Sequence, residues 1–115
     1  MDQRDRVGGG WIGVDLDGVL AHYEDWKGIE HIGAPIRGMV ERVQDLIKKG
    51  YTVKVFTARV CNGPEAIKHI REWLGHWGLP DLEITNVKDF GMIELWDDRC
   101  KQVVLNTGRF IDEEE

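Results

Sequence analysis

Trp11-Ile12-Gly13-Val14-Asp15-Leu16-Asp17-Gly18-Val19 is the stretch on which the reading of this chain turns. Its first four residues form a short apolar run, the pattern of a buried strand. Two acids follow where that strand ends. Residues i and i+2 of an extended segment point to the same side, so Asp15 and Asp17 aim two carboxyl groups at one spot. Gly18 then permits a sharp turn.

Beyond this stretch, helix and strand patterns alternate. Residues 22–35 are irregular, with Gly28, Gly33 and Pro35 as breakers. Residues 36–49 carry Met39, Val40, Val43, Leu46 and Ile47 at helical spacing, and Gly50 ends the helix. Residues 51–56 are β-branched and aromatic, a second strand. Gly63-Pro64 opens a helix running to about Trp77, with Ala66, Ile67, Ile70, Trp73, Leu74 and Trp77 repeating at three and four. Strands are expected at 82–85 and 92–96, and a fifth, at the edge, over 102–105. Strands alternating with helices imply βαβ units, a mostly parallel sheet and a three-layer α/β/α sandwich. Its connections should be right-handed, and ligands of such sheets bind beyond the carboxyl ends of the strands. The polar Met1–Gly10, ending in three glycines, reads as a flexible lead-in, and residues 111–115 as an acidic tail. One folded unit is expected over 11–110.

Composition narrows the function. The 115 residues suit one domain, and 42% apolar with 31% charged is ordinary globular composition. No apolar run approaches the roughly 18 residues of a membrane helix, and residues 1–10 lack the apolar stretch expected of a signal peptide. A net charge of −6 disfavours nucleic-acid binding by bulk charge alone. Two cysteines, Cys61 and Cys100, make no disulfide framework, so a reduced, cytoplasmic protein is expected.

The expected strand ends share a chemistry. The second delivers Thr57-Ala58-Arg59, the third is followed by Asn86-Val87-Lys88, and the fourth by Asp97-Asp98-Arg99. Four aspartates at one edge repel one another unless a cation sits among them. Oxygen ligands around a hard ion indicate Mg²⁺, which takes one or two carboxylates plus substrate phosphate. A lysine and a threonine hydroxyl beside it suit the oxygens of a phosphoryl group. Phosphoryl transfer is mostly positioning and charge neutralisation. An aspartate can serve as its nucleophile, and a second carboxyl as its proton carrier.

In this order the residues resemble the haloacid dehalogenase-like superfamily. Residues 12–19 are similar to its first motif, Val55-Phe56-Thr57-Ala58-Arg59 to the second, Lys88 to the third-motif lysine, and Leu95-Trp96-Asp97-Asp98-Arg99 to the acidic fourth. The resemblance covers about residues 11–104. It implies a Rossmann-like fold and a Mg²⁺-dependent phosphate-monoester hydrolase working through an aspartyl-phosphate. Asp15 would be nucleophile and metal ligand, and Asp17 the general acid/base with its backbone carbonyl on the metal. Thr57 and Lys88 would hold the phosphoryl group. Of Asp97 and Asp98, one would ligate the ion directly and the other through water, with Asp98 favoured as the direct ligand. An acid at position 17 favours phosphatase over dehalogenase chemistry.

The departures concern the cap that members of the superfamily usually carry. Residues 20–35 and the gap between Thr85 and Met92 are both too short for one, so the chain resembles capless, minimal members. An open site takes a large substrate, such as a phosphorylated nucleic-acid end or a phosphoprotein, or borrows a lid from a second subunit; a small phosphorylated molecule also fits the chemistry. Residues 22–26 are the expected flap, with Trp26 placed where a substrate ring can be stacked, while Trp11, Trp73, Trp77 and Trp96 belong to the core. Bland readings stand beside these: Thr57 as a helix cap, Lys88 as a solvated surface group, and Arg59 as a surface ion pair rather than a phosphate contact. Two other functions share the residue types. A phospho-accepting receiver module is one, although its acidic pair follows the first strand, not the last. A degenerate, binding-only relative is the other.

Overall fold

The computed structural model describes residues 10–113. Four strands form one sheet in the order β3-β2-β1-β4, every neighbouring pair parallel: β1 Trp11–Val14, β2 Thr52–Phe56, β3 Glu83–Thr85 and β4 Met92–Trp96. The helices are α1, Arg37–Lys48, and α2, Pro64–His76. This is the expected α/β, Rossmann-like arrangement, and no cap domain is present among the described residues.

β1 is buried at all four positions because it lies between two neighbours. Ile12 and Val14 stand in register with Val53 and Val55, and all four join one apolar cluster with Val40 and Val43 of α1 and Ile70 and Leu74 of α2. Each such aliphatic side chain contributes about 1.5–3 kcal/mol when fully buried. Both helices therefore feed the same face of the sheet, and among the described residues no α-helix forms the third layer of the expected α/β/α sandwich on the opposite face. The opposite face carries Trp11, which is 3% exposed and lies 6.2 Å, ring to ring, from Phe56. There the Lys54 ammonium sits 4.5 Å over the Trp11 ring, and the indole N–H donates to Asp89 at 2.8 Å.

Element ends follow local chemistry. Tyr51 stays outside β2 because its N–H closes α1 on the Leu46 carbonyl. Pro64 occupies the first turn of α2, where its missing N–H costs nothing. A short 3-10 turn, Ala58–Asn62, intervenes before α2 and was not legible as an element in the sequence.

The fifth strand is not formed. Val103 makes a single antiparallel bridge to Phe110, and the Val104 and Ile111 N–H groups bond to Arg109 and Gln102 carbonyls. Asn106 and Gly108, both at positive φ, turn the segment back on itself, so its hydrogen bonds go to its own return and not to a sheet edge. The tail bends back as well, with Lys101 paired to Asp112 at 3.1 Å. The expected flexible lead-in falls, through residue 9, outside the described residues. No helix among the described residues is long and apolar enough to cross a membrane.

Candidate functional site

Four parallel strands end on one side, and that geometry collects the polar residues that follow them. A cleft of about 810 Å³ opens there, lined by Asp15 and Asp17 after β1, Thr57 after β2, Asn86 after β3, and Asp97 and Asp98 after β4.

Asp15 is held by its backbone and its carboxylate together. Its N–H donates to the Trp96 carbonyl at 2.9 Å, tying it to the end of β4, and its Oδ1 accepts from the Leu16 N–H at 2.8 Å. Carboxylate oxygens of Asp15, Asp97 and Asp98 all lie within 4.8 Å of one another. Burial pushes the Asp15 carboxyl up from the ordinary 3.8 to about 7, with the charges of Asp97, Asp98 and Asp17 adding to the rise and the Leu16 N–H opposing it. Without a cation this carboxylate sits in the wrong place for its charge.

The acidic group is built by backbone as much as by side chains. Gly18 has φ +87°, and a Cβ there would stand 2.7 Å from Asp98 Oδ2. A side chain at this position would crowd the Asp98 carboxylate, and the positive φ independently favours glycine. Asp97 Oδ1 accepts from the Arg99 N–H at 2.7 Å, which fixes the acidic pair in its turn. Oxygens on one octahedral Mg²⁺ at about 2.1 Å stand about 3.0 Å apart when adjacent and about 4.2 Å apart when opposite, so the three carboxylates would close in on one another to share one ion. The donor set is all oxygen, as a hard cation requires.

Asp17 lies on the same cleft but points elsewhere. Arg59 grips it in a two-pronged ion pair, Nε to Oδ2 at 2.7 Å and Nη2 to Oδ1 at 2.9 Å. Arg59 also donates to the carbonyls of His31 at 2.9 Å and Ile29 at 3.4 Å, and its guanidinium lies 4.9 Å from the centre of the Trp26 ring. The residue read as a surface ion pair or a phosphate contact is 4% exposed and ties the 22–35 loop to the first acidic motif. Sequence reasoning missed this clamp; its only signal was an arginine two positions after the strand-end threonine.

Thr57 is 2% exposed, and its Oγ1 accepts from the Arg59 N–H at 3.1 Å. It thus caps the 3-10 turn and lines the cleft at once. Lys88 is exposed on the β3–β4 loop and does not line the cleft; Asn86, two residues earlier, does. Trp73 is buried with its indole N–H on the Gly33 carbonyl, whereas Trp96, expected in the core, is half-buried with its N–H on Glu94. Cys61 and Cys100 are both exposed and form no disulfide.

Among solved structures, a conserved protein coded by a locus of Bacteroides thetaiotaomicron superposes with a TM-score of 0.61, covering 77% of this chain and 75% of that one. The likeness is one of fold. At 21% identity it carries no activity across. No family model matches the chain, and no curated protein matches it.

Proposed function

We propose that this chain is a phosphate-monoester hydrolase of the haloacid dehalogenase-like type, open for want of a cap, that uses Mg²⁺. The observation that carries the reading is the gathering of Asp15, Asp97 and Asp98 within 4.8 Å at the carboxyl edge of the sheet, on a cleft that Asp17 and Thr57 also line. These are the positions the motif resemblance names, reached here by packing.

Asp15, Asp97 and Asp98 would hold the ion. When bound, it would neutralise charge on the carboxylates and on the phosphoryl oxygens. An Asp15 carboxylate oxygen then attacks phosphorus as the bond to the leaving oxygen breaks, giving an aspartyl-phosphate. Asp17 gives that leaving oxygen its proton. Water next attacks phosphorus and yields a proton to Asp17, the bond to Asp15 breaks, and inorganic phosphate leaves with both carboxyls restored. Both Asp17 oxygens accept from Arg59 in the structure, so Asp17 must turn out of that fork and take up a proton from water before it can give one to the first leaving oxygen. Thr57 would donate to a phosphoryl oxygen from its fixed position, and Lys88 would have to swing in on its flexible stem.

The test is release of phosphate from p-nitrophenyl phosphate by purified protein with Mg²⁺. Activity that EDTA abolishes and added Mg²⁺ restores, and that Asp15→Asn lacks while remaining folded by circular dichroism, supports the reading. Equal activity in the Asn variant overturns it. So does a phosphorylated form that accumulates without turnover, which is the behaviour of a receiver.

A further inference from the structure

Resting on the phosphatase reading, we infer that Trp26 is a prearranged stacking platform for a planar base on the leaving group, so that the substrate class is a nucleoside phosphate. Tyr23 and Trp26, at 44% and 49% exposed, are the two exposed large apolar side chains that line the cleft among the described residues. An indole exposed on the cleft wall offers its face to a flat apolar partner.

The cation beside the Trp26 ring is itself fixed in place. The guanidinium against its ring is fixed by four further bonds, two to Asp17 and two to the carbonyls of Ile29 and His31. Gly33 closes the same loop against the His22 carbonyl so tightly that a Cβ there would stand 2.0 Å from that oxygen. A platform ordered before binding spares the ligand that cost. The cation beneath the ring strengthens the arrangement.

The remaining lining matches a base more than a bare hydrocarbon ring. Asn62 and Asn86 each bring an amide that donates and accepts, and Arg99 brings donors only. A base edge carries both kinds of group, whereas a simple aryl ring carries neither. At about 810 Å³ the cleft is also far larger than a phosphoryl group needs. Free nucleotides and the phosphorylated ends of nucleic-acid strands share this chemistry, and the test separates them.

The test has two arms. In the first, kcat/KM with Mg²⁺ is measured for adenosine 5′-monophosphate, ribose 5-phosphate and a 5′-phosphorylated oligodeoxynucleotide. The ratio of adenosine monophosphate to ribose 5-phosphate should fall by about 5- to 150-fold in Trp26→Ala, the range base–aromatic stacking supplies. Trp26→Phe should restore much of it. An oligonucleotide preferred over the mononucleotide, and losing that preference in the same variant, assigns the platform to strand ends; the reverse order assigns it to free nucleotides. A ratio unchanged in Trp26→Ala overturns the inference and leaves the phosphatase reading standing. In the second arm, calorimetry on Asp15→Asn compares binding of the same two small phosphates. Tighter binding of the nucleotide, lost in Asp15→Asn/Trp26→Ala, supports the platform even where no phosphate ester is hydrolysed. Equal binding of the two overturns it.

Discussion

Replacing Asp15 with Asn should make the metal-free protein more stable while removing the proposed phosphatase activity. The wild-type carboxyl is carried from 3.8 to about 7, first by burial and then by Asp97, Asp98 and Asp17. At about 1.4 kcal/mol per pKa unit, ionising it in the folded state costs up to about 4 kcal/mol relative to the unfolded chain. Water and counter-ions in an open cleft reduce this, so about 2 kcal/mol is expected, or about 8 °C in Tm for a domain of this size. The sign follows from proton binding. Between pH 4 and pH 7 the folded state holds a proton on Asp15 that the unfolded chain has lost, so wild-type stability falls as pH rises through that window and levels above it. The Asn variant has no such loss, and its amide oxygen can still accept from Leu16. Thermal unfolding in EDTA at pH 5 and pH 8 should therefore show a gap in favour of Asp15→Asn that widens at the higher pH. On the proposed Mg²⁺ site, saturating Mg²⁺ at pH 8 should reverse the order, because only the wild type would keep all three carboxylates and gain by mass action. A metal-free variant no more stable than wild type at pH 8, or a gap independent of pH, would refute the reasoning.

Three further outcomes are expected. Arg59→Met leaves the largely buried Asp17 without its partner; it should cost about 2–4 kcal/mol in urea unfolding and speed amide exchange at His31 and its neighbours. Gly18→Ala combines a positive φ with a Cβ 2.7 Å from Asp98 Oδ2, so Mg²⁺ affinity by calorimetry should fall by about tenfold or more, beyond a stability loss of about 1–2 kcal/mol. Unaltered affinity would mean that Asp98 lies off the ion. Gly33→Ala places a Cβ 2.0 Å from the His22 carbonyl oxygen and should unlatch the 22–35 loop, read as new protease cleavage there under conditions where wild type resists.

Much of the scaffold was legible along the chain because its signals are local. Apolar runs, three-and-four spacing, Pro64 at a helix start and Gly50 past a helix end each act within a few residues. The 102–105 segment misled because its short apolar, β-branched run is that of a strand. Only the return of residues 106–110 decided that its partners would be its own chain. The strand-end polar groups were legible too, since a parallel sheet sends every carboxyl end to the same side.

What the sequence by itself determined is therefore the order of elements and the residue types at one edge: Asp15, Asp17, Thr57, Asp97 and Asp98. Tertiary packing alone decided how those groups divide. It set Asp15, Asp97 and Asp98 against one another through the bare Gly18, drew the Asp17 carboxylate away to a buried Arg59, and left Lys88 off the cleft. Covalent spacing limits side-chain reach to a few residues, whereas the fork between Arg59 and Asp17 and the contact of Gly18 with Asp98 join segments that only the closed sheet brings together.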